Sequence, residues 1–251
     1  MGQHDSTVVA VIPARWGSTR FPGKILAEIA GEPMIVHVVR RATEAQTVDH
    51  VIVATDDERI ADVVSKTGAE AVMTGECASG TDRVAEAVAG RDEWNVVVNV
   101  QGDEPLLSGE NIDVLVDGLL ADDEVRMSTL CRPLEAERIE DPNAVKVVRD
   151  VRGRALYFSR SPIPYPRSRE AAVALWQLHL GIYCFRRDAL ERFVKLPPSE
   201  LEAAEGLEQL RAVENGIPIL VLDAPHSAYG VDTPEDLQRV ETIMKRENRW
   251  M

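Results

Sequence analysis

Three apolar runs, Val8 to Ile12, Val51 to Ala54 and Val96 to Val100, constrain the fold of this 251-residue chain more than any other feature. Each is short, almost wholly hydrophobic (Asn99 is the one polar residue) and rich in β-branched residues, as expected of strands buried on both faces. Helix-like segments separate them. Pro33 to Ala45 has apolar residues at helical spacing, with a proline suited to a first turn. Asp56 to Lys66 reads as a helix ended by Gly68, and Glu70 to Met73 as another strand. Ser79 to Asp82 resembles a capping box that opens a helix to Ala89, and Ser108 can cap one ending near Leu120. Repeated β-α units with such strands predict an α/β fold, a mostly parallel sheet with helices on both faces.

The pattern changes after about Met127. Val145 to Arg149 and Ala155 to Ser159 flank a turn and predict a hairpin. A proline-rich stretch follows at 161–166, then a strand around His179 to Phe185. Helices are expected over Asp188 to Lys195 and Glu202 to Asn215, although Gly206 inside the second costs roughly 1 kcal/mol relative to Ala. Ile217 to Leu222 predicts a strand, and Thr233 to Glu247 a closing helix. With no linker or repeat, the chain reads as one domain over residues 1–251, with a mixed β/α subdomain inserted at about 127–200.

Ligands of open parallel sheets sit beyond the strand carboxyl ends. The segment leaving the first strand, Pro13 to Lys24, carries Arg15, Arg20 and Lys24 together with Gly17 and Gly23. Glycines let backbone N–H groups approach a ligand, and the basic side chains counter its charge, so the loop suits a polyphosphate. Five residues separate Gly17 from Gly23, and Ile25 follows Lys24, so it is not a P-loop. Asp103, after the most apolar strand, is placed to hold a divalent cation near those phosphates. It is equally suited to bonding its own turn. Asp232 and Thr233 precede Pro234, where helix capping accounts for both. Asp232 becomes a metal ligand only if the fold brings it to Asp103. His179 reads as a hydrogen-bonded core residue. Arg160 suits a bidentate carboxylate or a surface position with its stem packed on apolar neighbours. Leu207 to Arg211, including Glu208 and Gln209, reads as an exposed helical face.

The formal net charge is −14, from 28 basic and 42 acidic residues, which argues against nucleic-acid or anionic-membrane surfaces. Cys77, Cys131 and Cys184 are sparse and unpaired in spacing, which fits buried thiols in a reducing compartment. There is no signal-peptide pattern and no membrane-length apolar stretch, so a cytoplasmic location is expected.

Taken together, Pro13 to Lys24, Ser79 to Arg83, Asn99 to Pro105, Pro142 to Val148, Leu156 to Arg160, His179 to Tyr183, Leu207 to Arg211 and Gly230 to Asp236 resemble the 3-deoxy-manno-octulosonate (Kdo) cytidylyltransferase family, from the first strand to the last helix. The resemblance implies a nucleotide-diphospho-sugar transferase type of fold. It implies the Mg²⁺-dependent reaction of CTP with Kdo to give CMP-Kdo and pyrophosphate, for lipopolysaccharide assembly, in a cytoplasmic homodimer. The inserted subdomain would then bind the sugar and dimerise. By the same resemblance Arg15, Ser18 and Lys24 bind the triphosphate, and Arg83 and Gln101 sit with the cytidine or the sugar. Asp103 and Asp232 ligate Mg²⁺, while Arg160, His179, Glu208 and Gln209 face Kdo. Cys77 stands where the family often has His, and Trp16 and Phe21 stand where it has other apolar residues. A sialic acid cytidylyltransferase shares the Pro-Ala-Arg opening, but the continuation to Lys24 favours the Kdo type. Two other readings remain open: the same chemistry on another acid sugar, such as 8-amino-Kdo or sialic acid, and a silent nucleotide-binding protein.

Overall fold

The structure, a computed structural model, describes residues 6–17, 21–167 and 175–247. In chain order its strands are β1 (Val8–Ala14), β2 (Glu28–Ile29), β3 (Glu32–Pro33), β4 (His50–Thr55), β5 (Glu70–Met73), β6 (Val96–Asn99), β7 (Met127–Pro133), β8 (Lys146–Arg149), β9 (Ala155–Ser159), β10 (Gln177–Arg186) and β11 (Ile219–Asp223). The α-helices are α1 (Met34–Thr43), α2 (Glu58–Val64), α3 (Gly80–Ala87), α4 (Gly109–Leu120), α5 (Arg187–Phe193), α6 (Glu200–Glu205), α7 (Gln209–Glu214) and α8 (Pro234–Glu247). The described residues within 1–113 and 226–251 form one compact unit, and those within 114–225 a second.

In the first unit, β1 lies between β4 and β6, β5 flanks β4, and every pairing among these four strands is parallel. Val9 to Ile12, Ile52 to Ala54 and Val96 to Val98 are all essentially inaccessible to solvent. A strand with Val or Ile at successive positions buries both faces, so its neighbours must be apolar too, and helices pack over them. Helices α1 and α3 both pack on β1 and β4. The expected serine caps form, and α2 starts at Glu58, later than expected, capped by Asp57. Ser79 accepts a hydrogen bond from the Asp82 amide, Asp57 accepts one from Arg59, and Ser108 accepts one from Glu110.

The second unit is mixed. β11 runs parallel to β7, while β7 with β10, β10 with β8, and β8 with β9 are antiparallel. The β8–β9 hairpin forms as expected, with Gly153 at φ +79° in its turn. β7 was not anticipated. Its Ser128 and Thr129 look polar in sequence, yet both are fully buried because they bond carbonyls, Ser128 to Leu115 and Thr129 to Ile182. The single helix expected over Glu202 to Asn215 is two, α6 and α7. Gly206 is not a tolerated interior glycine but the left-handed cap of α6, at φ +61° and ψ +43°. Its N–H bonds Glu202 O at 2.8 Å, so the chain turns where continued helix was expected.

A Cβ at Gly206 meets nothing closer than an Arg160 nitrogen at 3.9 Å, so its cost is conformational rather than steric. Gly206→Ala is expected to lower unfolding free energy by about 1 kcal/mol. Urea denaturation with unchanged slope is the measurement, and an equally stable variant would refute the assignment.

Candidate active site

The loops after β1 and β6 leave the carboxyl ends of adjacent parallel strands. They approach closely: a Cβ on Gly102 would lie 2.9 Å from Pro13 O, so the position has no room for a side chain. A cavity of about 280 Å³ opens here, and Arg15, Lys24, Arg83, Gln101, Asp103 and Asp232 all line it. Six of the residues expected from the sequence are thus brought together within the first unit. Ser18, expected at the triphosphate, and Arg20 lie outside the described residues.

The acid pair does meet. The Val231 amide donates to Asp103 O at 2.8 Å, which sets the following residue, Asp232, beside Asp103. Capping of α8 falls to Thr233, whose hydroxyl accepts from the Asp236 amide while Asp236 accepts from the Thr233 amide. Asp232 is therefore not consumed as a cap. Both carboxylates bind the Lys24 ammonium, Asp103 Oδ2 at 2.6 Å and Asp232 Oδ1 at 3.2 Å, and Val231 O accepts from it at 3.0 Å.

Trp16 and Gly23, in the described parts of the first loop, are held by stacking. The Arg59 guanidinium lies 3.5 Å from the Trp16 ring centroid, and Asp57 grips Arg59 through Nε at 2.9 Å and a terminal nitrogen at 2.5 Å. Trp16 in turn covers Gly23, where a Cβ would stand 2.7 Å from the indole and where φ is +71°. Gly23 donates to Trp16 O at 3.1 Å and precedes Lys24 directly, so the stack sets the root of the lysine. Sequence reading missed this role of Arg59, because the partners are far apart in the chain.

Arg83 is buried, bonding Asp56 at 2.5 Å and the Thr74 hydroxyl. Asp56 was also missed. Gln101 donates to Asn99 at 3.4 Å, and Asn99 donates to Thr81 at 3.2 Å. Cys77 lines the cavity as a thiol, pushed up to about 11 by burial and by the Glu86 carboxylate. The Glu104 carboxyl, next to Asp103, is buried with Oε2 unpartnered, and burial with the Asp103 charge pushes it up to about 8. Glu104 is therefore protonated at neutral pH.

The residues the resemblance assigns to Kdo lie in the second unit. Arg160 bonds carbonyls: Nε to Glu205 at 2.7 Å, and its terminal nitrogens to Pro142 at 2.8 Å and Gly206 at 3.3 Å. Carbonyls orient the guanidinium without cancelling its charge. Lys146, buried below, donates to Asp141 O at 3.1 Å and to Arg160 O. Glu208 stands at the start of α7, and Gln209 is buried in its first turn, not on an exposed face. The nearby Arg211 is engaged bidentately by Glu202 at 2.8 and 2.5 Å.

His179 is buried on β10, edge-on to Phe158 at 4.9 Å. Its Nε2 lies 3.0 Å from Thr129 Oγ1, which also lies 2.8 Å from Ile182 O and 3.1 Å from Leu180 O. Carbonyls only accept, so the single hydroxyl proton goes to one of them and Nε2–H donates to the threonine. Nδ1 is then the acceptor. Burial pushes the imidazole down to about 3, so His179 offers a neutral hydrogen-bonding group rather than a positive charge.

Two titrations follow. The His179 ring should show no proton shift by NMR between pH 5 and 8, and a midpoint near 6.5 would refute the buried neutral assignment. The native state holds Glu104 protonated above its unfolded value of 4.5, so this group weakens stability as pH rises from there toward 8. Glu104→Gln should accordingly be more stable than the parent at pH 8, with the difference shrinking toward pH 4.5 in chemical denaturation.

A family model described as Cytidylyltransferase matches residues 9–219. The 3-deoxy-manno-octulosonate cytidylyltransferase of Anaeromyxobacter sp. (strain Fw109-5) is 51% identical over 238 residues, covering 94% of this chain and 96% of its own length. That of Myxococcus xanthus (strain DK1622) is 52% identical over 238 residues, with the same coverages of 94% and 96%. A solved structure of CMP:2-keto-3-deoxy-manno-octonic acid synthetase complexed with CTP superposes with a TM-score of 0.92 at 44% identity, covering 96% of this chain and all of that one. With this agreement along nearly the whole chain, and with the basic loop and acid pair gathered in one pocket, the chain belongs to the 3-deoxy-manno-octulosonate cytidylyltransferase family.

Proposed function

We infer that this chain transfers CMP from CTP to Kdo, releasing pyrophosphate. The observation that carries the reading is the polar pocket where Arg15, Lys24 and Arg83 meet Asp103 and Asp232 at the carboxyl ends of parallel strands. Three cationic side chains in a protein of net charge −14 are a local concentration suited to a triphosphate.

The residues present suit a divalent ion. Among the described residues no group of three or more His, Cys, Asp or Glu side chains is arranged to hold a metal, so an ion here takes much of its coordination from phosphate or water oxygens. Mg²⁺ is such an ion, content with one or two carboxylates plus phosphates, and Asp103 and Asp232 would hold it. Bound there, Mg²⁺ would supply countercharge for the phosphates and would lower the pKa of the sugar hydroxyl.

The chain's own contribution is positioning and charge. Arg15 and Lys24 draw the phosphates to the mouth of the β1 loop, and Arg83, braced by Asp56 and Thr74, presents a fixed cation from the wall. The anomeric oxygen of Kdo, its proton lost to solvent, bonds the α-phosphorus as the P–O bond to the β-phosphate breaks and pyrophosphate departs, a displacement that depends on holding both reactants in register. Kdo is itself an anion. Arg160 supplies the charge for its carboxylate, while the neutral imidazole of His179 and the side chains of Glu208 and Gln209 supply hydrogen bonds to its hydroxyls. Homodimerisation, a cytoplasmic location and a place in lipopolysaccharide assembly belong to the same proposal. No helix among the described residues is long and apolar enough to cross a membrane.

The test is pyrophosphate release on mixing the protein with CTP, Mg²⁺ and Kdo. Comparing kcat/KM with 8-amino-Kdo and a sialic acid decides the sugar, and CTP binding without turnover on any of them would point to a silent binder. Asp103→Asn should keep the fold and lose turnover by about 100-fold or more, the scale of a lost transition-state charge contact. Near-parental rates at limiting Mg²⁺ would remove Asp103 from the metal site.

A further inference from the structure

We propose that Lys24 is the resident cation of the Asp103–Asp232 pair in the free protein, and that it cedes this seat to a divalent ion only when a nucleotide brings phosphates. The proposal rests on the cytidylyltransferase reading above, in which the same two acids hold Mg²⁺ and the same lysine binds the triphosphate. The geometry shows that these two duties cannot be performed at once from the observed position. An ammonium has three donors. All three acceptors they need are present: Asp103 Oδ2 at 2.6 Å, Val231 O at 3.0 Å and Asp232 Oδ1 at 3.2 Å. Lys24 thus has no donor left for a phosphate.

The seat is internal. The Lys24 side chain is 12% exposed, against 32% for Asp103 and 50% for Asp232, so the ammonium sits behind the acids and the acids open outward. A second cation drawn to those carboxylates would face the ammonium across a hydrogen-bond length. Divalent binding and lysine departure are therefore coupled events. The lysine stem is flexible enough to leave, and its base is fixed by Gly23 under the Trp16 ring. Polyphosphate gives the departing ammonium anionic acceptors and gives the metal further oxygen ligands, so each ligand relieves the obstacle to the other. By linkage the metal and the nucleotide must then favour each other's binding. A state with the lysine displaced that is about 1–10% populated would weaken metal affinity in the free protein by about tenfold to a hundredfold.

The competing arrangement is a permanent ion pair, with the metal taken by the outward carboxylate oxygens while Lys24 stays. Direct metal binding separates the two. Mn²⁺ alone is the probe, its free concentration read by electron paramagnetic resonance, for the parent, Lys24→Met and the double variant Lys24→Met with Asp103→Asn. Without nucleotide, the parent should bind Mn²⁺ weakly, Lys24→Met at least about tenfold more tightly, and the double variant should lose that gain. Adding CTP without Kdo should tighten the parent far more than Lys24→Met. Equal affinity of the parent and Lys24→Met overturns the proposal. So does a parent that binds Mn²⁺ as tightly without CTP as with it, a result that does not depend on the variant folding. If Lys24→Met requires Mn²⁺ to fold, a metal-dependent rise in its melting temperature that the parent lacks supports the exchange. The family reading fails separately, by the absence of Kdo-dependent pyrophosphate release from the parent.

Discussion

Two carboxylates drawn to one point repel each other unless a cation sits between them. Like charges about 4 Å apart cost on the order of 4 kcal/mol in a partly screened site. In this protein the Lys24 ammonium occupies that position, and the pocket is organised around it. The lysine is rooted at Gly23, the glycine is covered by Trp16, and the indole is stacked by Arg59. On the other side, the Val231 amide clasps the Asp103 carbonyl and delivers Asp232. The two acids are thereby held together without pushing the pocket apart.

The parallel strands explain why this happens at one edge. Because β1 and β6 run the same way, their following loops emerge together, and the short contact between Gly102 and Pro13 is the consequence. The second unit uses different means. Its mixed sheet buries polar groups by satisfying them, with Thr129 linking His179 to carbonyls and Lys146 bonding the carbonyls of Asp141 and Arg160. Buried polar groups that are fully paired hold loops in single arrangements. The part-buried Arg160 is likewise oriented by carbonyls, those of Glu205, Pro142 and Gly206.

Much of the fold was legible. The cores of β1, β4 and β6 are apolar runs, and α2 and α3 begin at Asp and Ser caps, all local signals. The unanticipated β7 and the break at Gly206 have a shared cause. Polar residues and glycines change meaning with their surroundings: Ser128 and Thr129 become core once carbonyls receive their protons, and Gly206 becomes a cap once the chain must turn. Among site residues, the basic loop and Asp103 were legible because they follow strands in a pattern with chemical meaning. Arg59, Asp56 and the neutral state of His179 were not, since each depends on partners or burial that no short motif encodes.

The β-α order, the basic glycine-bearing loop, the acids available to it and the family to which the motifs point are all written in the amino-acid sequence. Those are properties of neighbouring residues, set by side-chain size, periodicity and backbone preference. It takes the folded chain to leave the helix cap to Thr233, to bring Asp232 to Asp103 and to set the Lys24 ammonium between them. More than a hundred residues separate the two acids in the chain. Their encounter is a matter of long-range packing, because electrostatic pairing acts over a few ångströms and is blind to sequence distance.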